Sequence, residues 1–328
     1  MINKQEAFRW GILKPGDIID IVAPGSATTE DDLVKIMQFV KSAGFTPRCP
    51  PDLIAPELFC SNSDENRARH LITAFHDPKS KAIWCLRNGY GSNRIMPYLT
   101  RVTAPKRVKL FLGASDATPI HTFISQVWKW PTLWAPALDK ISNDSFSQST
   151  RKEVGMVLMG KSHEVVYNNL RPLNPVAQFS NEFQGAIVGG NLSAICSSIG
   201  TPWQIEGKDH ILLLEESGLR ATRVDQLLEQ LFQTGVFKKA RAVVLGSFHK
   251  CVESDGSSLW PSVLDRISKK CEIPFVFGIP TSHTPNDRPL PIGTSVSLLT
   301  GAINKLVCTV NGSSSSGETF FSSVSKIS

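Results

Sequence analysis

Two periods run through the chain. At 18–23, 82–86, 108–112, 211–214, 242–245 and 275–279 nearly every position is apolar over four to six residues, the mark of a strand buried on both faces. Between these runs, apolar residues recur every three or four positions. Leu33, Ile36, Met37 and Val40 do so over 30–43, which Gly44 stops. Val224, Leu227, Leu228, Leu231 and Phe232 do so over 222–234, with Thr222 as a cap and Gly235 as the stop. Further helices are predicted over 64–75, 92–99, 153–159, 191–199 and 261–270, and a strand over 131–138. A hairpin of 295–299 with 305–310 closes around Gly301, and the serine run 313–316 marks a terminal loop. Segment 161–183 loses its period and holds two prolines and several Asn. It reads as a linker, bounded at 156–184, between an N-terminal domain, 1–155, and a C-terminal domain, 185–328. Strands alternating with helices argue for an α/β fold with a mostly parallel sheet covered by helices. Ligands of such sheets sit beyond the carboxyl ends of the strands, the edge on which the loops at Pro24, Arg87 and Ser115 fall.

One strand end carries more chemistry than the others. The stretch VKLFLGASDAT, 108–118, is an apolar run, a tight Gly113-Ala114-Ser115 turn, and a segment able to be helical by Pro119. This is the order of a nucleophile elbow, with Ala117 where a second glycine usually stands. Small residues before the serine let the backbone turn and a substrate approach. Free N–H groups at a helix start suit a developing oxyanion. The same residues also read as a serine helix cap, with Asp116 favoured by the helix dipole. Two other strand ends add polar groups. Glu215 and Glu216 follow 211–214, and His283 opens a proline-rich loop, 283–293. Of the seven histidines, His283 has the most constrained flanks. His70 and His121 fall on helices, and His249 follows a strand as a rival. A hydroxyl, a base and an acid are the parts of a serine hydrolase. Gly89-Tyr90-Gly91, after the strand at 82–86, adds a loop whose N–H groups can face a ligand.

Composition narrows the classes. The net charge of +6 comes from scattered Lys and Arg, so a nucleic-acid surface is not indicated. The seven cysteines are odd in number, dispersed and without C-x-x-C, which argues against a disulfide framework or zinc site and for a reducing compartment. The first residues, MINKQEAFRWGILKPGD, have no apolar signal core, and no apolar run is long enough to span a bilayer. The expectation is a cytoplasmic protein with no membrane partner.

Taken in order, Gly16-Asp17 with Ile21-Val22-Ala23-Pro24, then Arg67 and Leu71, then Arg87-Asn88-Gly89-Tyr90-Gly91 and Gly113-Ala114-Ser115-Asp116 resemble one family. Gly189-Gly190-Asn191-Leu192, Leu214-Glu215-Glu216 and 283–293 continue the resemblance. The family is the LD-carboxypeptidases (muramoyltetrapeptide carboxypeptidases), which also include the microcin C immunity hydrolases. The resemblance implies a Rossmann-like N-terminal domain, a smaller β-rich C-terminal domain and a site between them. It implies a Ser-Glu-His triad with Ser115 as nucleophile, His283 as base and Glu215 as the acid that orients it. Glu216 is the rival to Glu215, and strand alternation turns the two opposite ways. The oxyanion would take the N–H groups of Asp116 and Gly89, and Arg87 and Asn191 would contact substrate. No metal or organic cofactor is implied.

The implied reaction removes terminal D-alanine from murein tetrapeptides by hydrolysis of an L,D amide bond, in cell-wall peptide recycling. A homodimer is common in the family. A microcin-C-type hydrolase of aminoacyl or peptidyl nucleotide sulfamates is the alternative. It would need an aromatic platform, and Trp128, Trp130 and Trp134 lie near the elbow, where a core role also accounts for them. A non-catalytic muropeptide-binding protein is the third reading. Three departures stand out. Asn88 replaces the first glycine of the usual RGGYG, a change costing about 1 kcal/mol if that residue is left-handed. Ala114 stands where a bulky residue, often tyrosine, is usual. The stretch after Trp134 lacks the usual Gly-Pro.

Overall fold

Strand β1 (Ile18–Val22) begins a run of units in which strands alternate with helices. The computed structural model describes residues 12–143, 145–281 and 284–310. Helix α1 (Glu30–Ser42), β2 (Thr46–Arg48), α2 (Asp64–His76), β3 (Ser80–Cys85) and α3 (Ser92–Leu99) follow. Next come β4 (Leu110–Gly113), α4 (Thr118–Phe123), β5 (Thr132–Trp134), α5 (Leu138–Ile141) and α6 (Gln148–Leu158). The chain continues through β6 (Glu164–Tyr167), β7 (Arg171–Pro172), β8 (Asn181–Asn191), α7 (Leu192–Cys196) and β9 (His210–Ser217). It then adds α8 (Ala221–Gln233), α9 (Val236–Lys239), β10 (Ala242–His249), α10 (Trp260–Lys269) and β11 (Phe275–Phe277). Three strands end it: β12 (Leu290–Ile292), β13 (Ser295–Thr300) and β14 (Lys305–Thr309).

The helix starts obey local chemistry. Thr29 accepts from the Asp32 N–H at the start of α1, and Ser63 accepts from the Asn66 N–H at the start of α2. The strands form two sheets. The first has the order β12-β5-β4-β3-β1-β2 and is parallel except where β12 pairs antiparallel with β5. The second has eight strands, β6-β14-β13-β8-β9-β10-β11-β7, with a parallel centre, β8-β9-β10-β11, between antiparallel margins. Leu112 and Trp134 of the first sheet share one hydrophobic cluster with Ile187 and Leu213 of the second, so the core runs unbroken between them.

Several expectations are corrected. Segment 156–184, read as a linker, contributes β6 and β7 to the second sheet and begins β8. Its strands are short and one sits on a Pro, which hid their period. The strand expected over 131–138 stops at Trp134, because α5 starts at Leu138. Strand β12, with Pro291 at its centre, lies in the stretch expected to be a proline-rich loop. The serine run 313–316 lies outside the described residues. No helix among the described residues is long and apolar enough to cross a membrane. All seven cysteines are free thiols.

Candidate active site

Strand β4 delivers Ser115 at its carboxyl end, and the backbone there is left-handed, φ 53°. A serine pays about 1 kcal/mol for that conformation, so its neighbours must hold it. They do so on both sides. The Gly113 carbonyl accepts from the Ala135 N–H (3.0 Å) and from His121 Nε2 (2.9 Å). The Ser115 carbonyl accepts from the Thr118 hydroxyl (2.6 Å), which itself accepts from the Asn191 N–H (2.9 Å). The second sheet is thereby bonded to the turn. Residues 115–117 form a short helical turn leading into α4, so Asp116 sits where N–H groups have no intrahelical partner.

His121 is buried behind this turn. Because Gly113 offers only a carbonyl, Nε2 must donate, and Nδ1 accepts from the Thr132 hydroxyl (2.7 Å). Burial lowers its pKa to about 4, and the ring is a neutral strut. His70, the other histidine expected on a helix, pairs with Asp52 at 2.9 Å, and burial lowers its pKa.

Three loops meet at Ser115, as their common edge predicted. A Cβ on Gly25 would lie 2.2 Å from the Gly89 carbonyl oxygen and 2.9 Å from Asp116 Oδ2. Gly89 has φ 156°, and a Cβ there would strike Ser26 Oγ at 2.5 Å. The Asp116 carboxylate accepts the Gly91 (3.2 Å) and Ser92 (2.8 Å) N–H groups, tying the elbow to the glycine loop and the start of α3. Burial raises its pKa, and those N–H groups work against the rise. The buried Arg67 completes the junction. Its Nε donates to the Asn62 carbonyl (3.0 Å), its Nη1 to the carbonyls of Gly91 (3.0 Å) and Pro24, and its Nη2 to Asp64.

Asn88 is not among the residues with positive φ, so the strain its substitution for glycine predicted does not arise. Its Oδ1 accepts the Ala114 N–H instead (3.2 Å).

The two glutamates separate by strand alternation. Ile211 and Leu213 pack in the cluster that holds Ala114 and Trp134, whereas Leu212 and Leu214 pack with α7 and α8. Glu215 shares the first face and is fully buried. A Cβ on the facing Gly246 would lie 2.9 Å from the Glu215 Cβ and 2.2 Å from Thr281 Oγ1. Glu216 is committed to the other side. It accepts from Asn191 Nδ2 (3.0 Å), the Ser193 N–H and hydroxyl (3.0 and 2.6 Å) and the Ser217 N–H (2.8 Å). His283 lies outside the described residues. Its neighbour Thr284 lines a cleft of about 230 Å³ together with Ser115, Asn88, Trp134, Lys140 and Arg288.

Two expected substrate contacts go elsewhere. Asn191 spends its side chain on Glu216 and on the Ala194 N–H at the start of α7 (3.1 Å), which makes it a positioning residue. Arg87 donates to the Ala27 carbonyl (3.0 Å), reaches Asp139 at 3.7 Å and does not line the cleft. Of the three tryptophans near the elbow, Trp128 and Trp130 pack edge-to-face against Phe75 and each other in the core, and Trp134 lines the cleft. Lys140 was missed, because it lies just past the strand expected over 131–138, in residues to which no element was assigned. Thr118 had no signal beyond its place three residues after the serine.

Known proteins resemble this chain in sequence and in fold. A model of the LD-carboxypeptidase N-terminal domain matches residues 19–135, and one of the LD-carboxypeptidase C-terminal domain matches 184–298. A candidate carboxypeptidase of Rickettsia conorii is 34% identical over 76% of this chain and 78% of its own length. A microcin C7 self-immunity protein of Escherichia coli is 24% identical over 84% of this chain and 88% of its own. The crystal structure of a muramoyltetrapeptide carboxypeptidase from Oxalobacter formigenes superposes with a TM-score of 0.75 at 26% identity, covering 90% of this chain and all (100%) of that one. With both domain models matched in order and the elbow serine in place, the chain belongs to the LD-carboxypeptidase family of serine-type peptidases.

Proposed function

We propose that this protein hydrolyses the L,D amide bond joining terminal D-alanine to the third residue of murein tetrapeptides, in cytoplasmic recycling of cell-wall peptides. The observation that carries the reading is Ser115, held left-handed at a strand end on the wall of a cleft that Thr284 and Arg288 also line. Ser115 Oγ attacks the amide carbonyl carbon while its proton passes to His283. The N–H groups of Asp116 and Gly89 take the charge that develops on the carbonyl oxygen. The C–N bond then breaks, and the proton on His283 leaves with the amine of D-alanine. Water, deprotonated by His283, attacks the acyl-Ser115 ester and frees the tripeptide. Glu215 keeps the His283 ring in the tautomer that accepts from serine. The flanks of His283 support this set: Thr281 packs beside Glu215 across Gly246, and Thr284 shares the cleft with Ser115.

The test is release of D-alanine from L-Ala-γ-D-Glu-diaminopimelate-D-Ala, followed by mass spectrometry. Wild type is expected to yield tripeptide and Ser115→Ala none. No tripeptide from either would sink the murein reading. Tetrapeptide binding by both proteins with no release of D-alanine by either would favour a non-catalytic role.

A further inference from the structure

A carboxypeptidase must tell a chain end from a chain interior, and a free carboxylate is what marks the end. Recognising it inside a cleft takes a cation whose donors are not already used. Among the described residues that line the cleft with Ser115, two are cationic, Lys140 and Arg288.

Arg288 is spent. Its Nε and Nη2 grip the two oxygens of Glu153, the first at 2.8 Å, and its Nη1 donates to the Val166 carbonyl (2.7 Å). The guanidinium also lies over the Tyr167 ring, 4.7 Å from its centre. It is a neutralised strut between α6, β6 and the loop before β12. Lys140 is in the opposite state. Its nearest ion-pair partner among the described residues is Asp139 Oδ2 at 4.0 Å, beyond hydrogen-bond reach, and its side chain is 51% exposed. Asp139 is shared, since Arg87 approaches the same oxygen at 3.7 Å.

The helix that carries Lys140 is fixed nonetheless. The Asp139 N–H donates to the Leu86 carbonyl (2.9 Å), which docks α5 beside the Arg87–Gly91 loop. The apolar lining of Ala114, Trp134, Pro136 and Phe146 suits a small methyl side chain next to the charge.

We propose that Lys140 receives the free carboxylate of the terminal D-amino acid. This rests on the carboxypeptidase reading above and deepens it.

The experiment measures binding without turnover, by calorimetry, in a Ser115→Ala background. The probes are the murein tetrapeptide and the same peptide with a C-terminal carboxamide. Adding Lys140→Met should weaken binding of the free acid about 10- to 100-fold, as expected for loss of one charge-assisted hydrogen bond. The carboxamide should bind the parent weakly and lose nothing further. Lys140→Arg, which keeps the charge, should fall between. An unchanged melting temperature excludes misfolding as the cause. Equal losses on acid and amide, or no loss on either, overturn the proposal. D-Alanine release assayed beside it separates the two readings. Binding that needs Lys140 without release by wild type sinks the hydrolysis and leaves Lys140 standing. Release indifferent to Lys140→Met does the reverse.

Discussion

On the Ser115 side of the cleft, three loops are bound to one another by a buried cation; on the Glu215 side, two adjacent carboxylates divide the work between them. Arg67 holds the carbonyls after β1, before α2 and at the end of the glycine loop, and Asp116 adds two N–H groups from that loop. The strained serine therefore sits in surroundings with little freedom to relax. Opposite, Glu216 takes four hydrogen bonds and anchors the start of α7, while Glu215 is set by the period of its strand and by the space Gly246 leaves. A strand can turn one group to each of its two faces without any special turn. An elbow cannot, and it needs a network to hold it.

The sharpest test of that contrast is the glutamate pair. Glu215→Gln should lower kcat by about 10³- to 10⁴-fold with little change in melting temperature, as when the orienting acid of a triad is neutralised. Glu216→Gln should do the converse. It should lower the unfolding free energy by about 1–3 kcal/mol in urea titration, with kcat of the folded fraction within a few fold of wild type. Exchanged phenotypes would exchange the two roles. On the other wall, Arg67→Met should cost about 2–4 kcal/mol of stability, since it leaves the buried Pro24 and Asn62 carbonyls without their donor, while Arg94 still serves Asp64 and the Gly91 carbonyl. A loss under about 1 kcal/mol would mean that these loops do not depend on the tether. The smallest effect belongs to Asn88→Gly, which removes the bond to the Ala114 N–H. About 1 kcal/mol should be lost in unfolding measurements. A gain instead would show that glycine is the better residue here.

The long periodic elements were legible in the sequence. Predicted helix 222–234 and observed α8, Ala221–Gln233, differ by one residue at each end, because its five apolar positions form a single stripe. The elbow was legible too, since small residues between a strand and a helix constrain the turn. What stayed hidden was long-range. Whether Arg87 or Lys140 enters the cleft depends on α5 docking against Leu86, far away in sequence. The Asn191 side chain was taken for a substrate contact, because its real partner, Glu216, comes from a strand 25 residues on. Short strands such as β6, β7 and β12 owe their existence to the sheets that receive them, and their own residues carry no period to read.

Strand β12 has a consequence for how the molecule is made. The first sheet is otherwise complete at Trp134, yet its β5 edge is covered only by Leu290–Ile292. During synthesis that edge stays open until Leu290–Ile292 have left the ribosome. An unpaired edge is a template for pairing with other chains. A fragment ending near residue 155 would carry Ser115 and an uncovered margin together, so low solubility is expected of it on top of the loss of Glu215 and His283.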